Sequence, residues 1–389
     1  MITEELKKQI SEAISHTGFP LEHYICNVLK DHHWNIISNR YYIDDVKGTE
    51  REIDVIAYKV SDMIDDVQYI TTLVISCKKS EENRWCFLTR DIDTADGNIN
   101  WSPLHFCSTD KRFKFILETQ NSRLIEKYMN HKALSHLYTF TNQVFAFQIL
   151  QKSKRENDKK RGALCVKENT DLYNSIITTI KAISSEKRSR FEKYNNKSKR
   201  CYLFYALSVF DGEIIESKFE NDGSQTIDSV IDIKYLNRHI VNNVDDFYIV
   251  DFTTKDNFDY RLKLYDILHS ANTKYLSEFL NGFYENIFHF PERINILWKD
   301  FEDSIRFGVR YHVEKLLNVD IDANKYKIWH SYYTDIQTLT LDIGGGNSLS
   351  IEQWEILNNN AELKQTIKTG LLRFFKYSGN FIFGETLPF

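Results

Sequence analysis

Two short apolar runs hold residue types suited to hydrolytic chemistry. They are Glu50-Arg51-Glu52-Ile53-Asp54-Val55-Ile56-Ala57-Tyr58 and Leu73-Val74-Ile75-Ser76-Cys77-Lys78-Lys79. Both are rich in Val and Ile and bounded by turn-type residues, a pattern that predicts strands. Side chains alternate across a strand, so Glu52 and Asp54 share one face, as do Ser76 and Lys78. A carboxylate-held Mg²⁺, or Mn²⁺ in its place, can neutralise an anionic oxygen and make water nucleophilic, while a nearby lysine orients that water. Mg²⁺ takes one or two carboxylates together with water and phosphate oxygens. Asp54 and Lys78 on adjacent strands, with Glu22 on a covering helix, form a minimal set of this kind. Residues two apart on a strand are ~6.6 Å apart, so Glu52 suits a second ion or a bridging water better than the ion held by Asp54.

Several elements must position this set. Leu6, Ile10, Ala13 and Ile14 predict a helix over 3–16 with Thr3 as its cap. Phe19-Pro20 opens a second helix, in which Leu21, Tyr24, Ile25, Val28 and Leu29 form an apolar stripe with Glu22 beside it. Trp34–Ile43, Glu50–Tyr58 and Tyr69–Lys78 follow as strands, and residues 121–136 and 168–192 read as helices. Tyr138–Leu150 fits a strand or a buried helix. Arg200–Phe210 reads as a buried strand closed by Asp211-Gly212, Phe247–Phe252 as a further strand, and 258–285 as helical. We place a boundary at residue 280, with a mainly helical extension over 281–389.

The 389 residues, 42% hydrophobic and 14% aromatic, suffice for two or three domains with real cores. Six cysteines without a CxxC pair exclude a zinc knuckle or disulfide framework and suit a reducing compartment. The start of the chain lacks a signal peptide's apolar core, and no uncharged run nears the ~20 residues of a membrane helix. A cytoplasmic protein with no membrane association is expected. The net charge is −5, yet residues 151–200 carry 15 Lys/Arg against 6 Asp/Glu, leaving −14 on the remainder. Lys152, Lys154, Arg155, Lys159, Lys160, Arg161, Lys187, Arg188 and Arg190 are therefore candidates for following a nucleic-acid backbone. No helix-turn-helix or zinc finger supplies base readout.

Four runs resemble the PD-(D/E)xK restriction-endonuclease-like superfamily. They are Gly18-Phe19-Pro20-Leu21-Glu22, Tyr41-Tyr42-Ile43-Asp44, Arg51-Glu52-Ile53-Asp54-Val55-Ile56-Ala57 and Ile75-Ser76-Cys77-Lys78-Lys79-Ser80. The similarity is closer to bacterial members, mostly uncharacterised, whose third strand ends in Glu-Cys-Lys with a Trp nearby, as Trp85 is here. It spans residues 15–265. The resemblance implies an α/β (α+β) fold, a mixed central sheet flanked by helices with its site where two central strands diverge. It further implies that Asp54, Glu22 and the main-chain carbonyl of Cys77 hold a metal and that Lys78 is the lysine of the site. The implied activity is Mg²⁺-dependent endonucleolytic cleavage of DNA in bacterial defence, with RNA open as a substrate. A homodimer or a partner protein of a defence system would then be the assembly. Ser76 stands where the family carries Glu or Asp, which opens the alternative of a catalytically degenerate fold kept for nucleic-acid binding or assembly.

Other signals have simpler accounts. Cys77 alternates away from Ser76 and Lys78 and is expected to be a core thiol. Asp342-Ile343-Gly344-Gly345-Gly346 is similar to a phosphate loop of actin-like ATPases, but a glycine turn before a helix capped by Ser350 and Gln353 explains it.

Overall fold

The computed structural model describes residues 2–44, 48–93, 95–97, 99, 103–152, 163–194, 198–333 and 337–386, the side chains of 191, 192 and 194 excepted. The chain divides into two compact units, Met1–Ser277 and Glu278–Phe389. In the first, α1 (Glu4–Ser15) and α2 (Phe19–Asp31) precede three successive strands, β1 (Asn35–Asp44), β2 (Thr49–Val60) and β3 (Gln68–Asp91). There follow β4 (His105–Ser108), α3 (Lys111–Met129), α4 (Ser135–Tyr138), β5 (Asn142–Lys152), β6 (Leu164–Lys167) and α5 (Thr170–Tyr194). The unit continues through β7 (Arg200–Phe219), β8 (Gln225–Val230), β9 (Asp232–Val241), β10 (Val244–Thr254) and most of α6 (Phe258–Tyr284), whose residues from Glu278 on count to the second unit. The strands join in one mixed sheet whose main path runs β1-β2-β3-β7-β10-β9. β1, β2 and β3 pair antiparallel, and β3, β7 and β10 run parallel.

α5 lays Leu172, Ile176, Ile180 and Ile183 on one face of this sheet, against Ile56, Ile70, Val74, Phe204 and Phe210. Thr71, Leu73 and Ile75 alternate to the other face, where His269 and Asn272 of α6 bond the Thr71 hydroxyl. α2 packs on β1, β2 and β3 through Leu21, Ile25 and Leu29, the stripe predicted for it. α1 differs from expectation. Thr3 caps it, but none of its residues is buried, and its apolar stripe faces solvent.

β3 also outruns its predicted end. Past a register shift between Lys79 and Arg84, residues 84–89 pair with β7 and residues 83–91 with β5, and Trp85 stacks on Phe210 at 4.0 Å. Tyr138–Leu150 resolves chiefly as strand β5. The helix expected at 121–136 begins earlier, at Lys111, and its kink at Gln120 breaks the periodicity that marks a helix start.

The second unit holds α7 (Pro291–Leu317), β11 (Trp329–Tyr333), β12 (Thr338–Asp342), α8 (Ile351–Asn359), α9 (Ala361–Phe375) and β13 (Phe381–Phe383). It is mainly helical, with a small sheet, β11-β12-β13, absent from the sequence expectation. Gly370 lets α9 approach α7, since a Cβ there would stand 2.9 Å from the Phe301 ring. The glycine run after β12 is a turn. Gly345 has φ +67° and lies against Tyr326, and Ser350 with Gln353 forms the capping box of α8.

An ionic knot ties α2 and β2 to α6. His32, at the C-terminal cap of α2, places Nδ1 2.6 Å from Asp266 and Nε2 3.1 Å from Asp259. Lys59 and the Trp34 indole donate to the other oxygen of Asp266, at 2.6 and 2.8 Å. Burial opposes protonation of His32, but hydrogen bonds to two carboxylates outweigh it and raise its pKa. A histidine raised in the folded state stabilises the protein fully below its unfolded pKa, about 6.5, and loses that contribution as pH rises through the raised value. The melting-temperature difference between wild type and His32→Gln should therefore be largest at pH 6 and shrink by pH 9. A difference independent of pH across that range would show that packing alone is lost.

Candidate active site

The β2–β3 ladder ends at the pair Val55–Ile75. One residue further on, Asp54 and Ser76 no longer pair, while β3 continues beside β7 through Ser76–Ser208, Cys77–Val209 and Lys78–Phe210. The parted strands leave the Cys77 N–H facing a gap, and the Asp54 carboxylate fills it, accepting that N–H at 2.6 Å. The same oxygen accepts from the Ser76 hydroxyl and the Lys78 ammonium, each at 3.3 Å. Lys78 Nζ also donates to the Cys77 carbonyl at 3.2 Å. Both groups remain partly open to solvent, at 31% exposure for the Lys78 side chain and 18% for Asp54.

Glu22 enters from the first turn of α2. Its pKa is raised, by burial first and then by the Asp54 carboxylate; Lys78 pulls it down, Glu52 pushes it up, and a hydrogen bond with Asn39 lowers it. The site therefore brings Glu22, Asp54, Ser76, Cys77 and Lys78 together, with exposed Glu52 at its rim. Asn39 is a participant that the sequence did not suggest. It lies opposite Asp54 within the β1–β2 register, unpaired and with φ +50°. Asparagine tolerates that left-handed conformation better than most residues, and an Asn inside a strand pattern is the signal that could have marked the irregularity.

Ser76 is fully buried and alternates toward the α5 face, beside Ser208, whose hydroxyl bonds Ser175 of α5 at 2.6 Å. Cys77 points the other way, and burial followed by the charges of Asp54 and Glu22 pushes its thiol well above the ordinary range. It is a core thiol, not a nucleophile. Glu81 pairs with Lys79 at 3.4 Å, and Glu82 accepts from Gln151 at 3.0 Å.

Among the described residues no three His, Cys, Asp or Glu side chains converge as a ready-made metal cage. The oxygens suited to an ion are the Asp54 and Glu22 carboxylates and the Cys77 carbonyl. Two of these, Asp54 Oδ2 and Cys77 O, already share the Lys78 ammonium, so the seat attracts positive charge. The like-charge repulsion expressed in Glu22 is what a divalent ion would relieve. The donor set fits Mg²⁺ with the remaining positions taken by water.

The basic candidates do not gather here. Lys154, Arg155, Lys159, Lys160 and Arg161 lie outside the described residues. Lys152 ends β5, exposed, and Arg188 is exposed on α5. Arg190 is bound to Glu186, which also pairs with Arg40 at 2.6 Å. Lys187 stands near His105 and Cys107 of β4. Through β7, β4 aligns with residues 69–72 of β3. That is roughly 20 Å from Lys78 at about 3.3 Å per residue.

No family model, curated protein or solved structure matches the chain. Among the described residues no helix is long and apolar enough to cross a membrane.

A carboxyl whose pKa is raised in the folded state stabilises the fold below its unfolded pKa and loses that contribution as pH rises through the folded value. Glu22→Gln removes the cost of ionisation, so it should raise the melting temperature at pH 7 and leave it nearly unchanged at pH 4. Mg²⁺ should raise the melting temperature of the wild type more than that of Glu22→Gln. Equal Mg²⁺ responses would remove Glu22 from the ion's environment.

Proposed function

We propose that the first unit is a restriction-endonuclease-like nuclease that hydrolyses phosphodiester bonds of DNA with Mg²⁺. The observation that carries this is Lys78 seated on Asp54 Oδ2 and the Cys77 carbonyl at the point where β2 and β3 part. The order of elements supports it. Helix α2 precedes three antiparallel strands, and the long helix α5 leads into β7, parallel to β3. Asp54, Glu22 and the Cys77 carbonyl would hold the ion, which when bound supplies charge neutralisation at the phosphate. Lys78, freed from Asp54, orients the attacking water. Glu22, with its raised pKa, is suited to exchange a proton with that water near neutral pH. RNA is the open alternative to DNA as substrate, and a role in defence against foreign DNA, with a homodimer or a partner protein as the assembly, belongs to the same proposal.

A second reading rests on Ser76. Its buried hydroxyl donates to Asp54 where a carboxylate would add charge to the ion site, and a fold of this kind without turnover would serve nucleic-acid binding or assembly. Cleavage assays on plasmid and single-stranded DNA separate the two. Mg²⁺-dependent cleavage by the wild type, reduced at least about a hundredfold in Lys78→Ala and in Asp54→Asn, supports the nuclease. Cleavage that persists in both variants places the chemistry elsewhere, and binding without turnover supports the second reading.

A further inference from the structure

A cleft of about 220 Å³ opens within the second unit, at the C-terminal ends of α6 and α9. Tyr284 ends α6 and Phe375 ends α9, while a short 3-10 turn, Ile287–His289, and Tyr332 of β11 supply further walls. The volume is below the range usual for a whole small-molecule ligand, so it suits a single ring with the rest of the ligand outside.

Rings make up much of the lining. Phe288 is buried and packs near-parallel to Tyr332 at 5.9 Å and edge-on to Tyr377 at 4.8 Å. Tyr284, Tyr332 and Tyr377 are half-buried, so each leaves part of its ring uncovered. Beside these rings the cleft is lined by Lys376, His289, Asn286 and Ser378, all able to donate hydrogen bonds, and among the described residues by no Asp or Glu. Carbonyls at both helix ends have partners of their own. Arg293 donates to those of Gly282, Phe283 and Glu285, and the N–H groups of Lys376 and Tyr377 donate to those of Leu372 and Leu371. The negative ends of the helix dipoles are thereby offset, which makes room for an anion beside them.

Lys376 is the distinctive residue. It caps α9 with φ +51°, a left-handed conformation that glycine or asparagine usually takes at a helix end and that strains other side chains. Strain of this kind gathers at ligand clamps. From that backbone the ammonium reaches 4.9 Å from the Tyr284 ring and 3.3 Å from the Asn281 amide oxygen.

Open rings, donors and an absence of lining carboxylates call for a flat ring that carries an anion. We propose that this cleft takes one nucleotide, its base against Tyr332 and Tyr377 and its phosphate on Lys376. Bases stack on aromatic side chains whatever their sequence. A free nucleotide and an unpaired nucleotide of a strand share this chemistry, and the assignment stands apart from any cleavage at Asp54.

Binding by the full chain in EDTA, where no Mg²⁺-dependent cleavage intervenes, tests it. Calorimetry with dTMP and fluorescence anisotropy with a labelled short oligothymidylate are the two arms. Saturable binding of dTMP marks a free-nucleotide site, and binding of the oligothymidylate alone marks a nucleotide held within a strand. In either arm Tyr332→Ala should weaken binding about tenfold or more. Lys376→Gly should weaken it about tenfold as well, yet melt no lower than the wild type, because glycine relieves the left-handed strain. Cooperative thermal unfolding establishes that each variant is folded. Saturable binding in neither arm overturns the proposal, as does undiminished affinity in folded Lys376→Gly or Tyr332→Ala.

Discussion

The hydrogen bond from the Cys77 N–H to the Asp54 carboxylate is the constraint on which the candidate site depends. When β2 leaves β3 after Val55–Ile75, a backbone donor in a buried strand loses its ladder partner. Leaving such a donor unsatisfied costs about 1–3 kcal/mol, and Asp54 meets the need at 2.6 Å. The carboxylate is thereby fixed at the mouth of the gap, and its second role follows. It becomes the anion around which Ser76, Lys78 and Glu22 are ordered. The divergence of the strands creates both the opening and the group that occupies it.

The rest of the sheet holds that opening in place. β3 is fixed on its far side by the parallel ladder to β7, which runs unbroken through Ser76, Cys77 and Lys78. α5 supports one face, and α2 and α6 support the other, so β3 cannot close the gap without breaking its bond to β7. The knot around Asp266 acts on the same elements. It joins Lys59, five residues beyond Asp54 on β2, to His32 at the end of the helix that carries Glu22. Its charges are partly shielded from water, where ion pairs count for more than the few tenths of a kcal/mol of exposed ones.

Much of this was legible in the sequence because the short apolar strands and the α2 stripe follow simple periods. Asp54 and Lys78 could be paired from alternation and strand order alone. Elsewhere those signals fade. Glu81, Glu82, Asn83 and Arg84 interrupt the apolar pattern at a register shift between Lys79 and Arg84, yet β3 resumes beyond it because β5 and β7 satisfy its backbone on both sides from Arg84 to Thr89. β8 is almost wholly exposed and β9 mostly half-buried, so they carry little apolar alternation to recognise. Asn39 is invisible because its role depends on a backbone angle. Charge was misleading in a similar way. The segment 151–200 is basic in composition, but Arg190 is engaged by Glu186, so composition overstates the cationic surface that α5 can offer.

Ser76 brings these considerations to one position. Its side chain is fully buried and faces α5 beside Ser208 and Ser175, so a glutamate there would bring a carboxylate out of water next to Asp54 and Glu22. Glu22 already shows the cost of such crowding in its raised pKa. A third anion would need strong cationic compensation, and burying an unpaired one costs several kcal/mol. A neutral hydroxyl avoids that cost and still donates to Asp54, which leaves one lysine to balance two carboxylates and the seat still attractive to a cation. Serine at this position weakens the anionic pull on an ion without dismantling the geometry that would receive it.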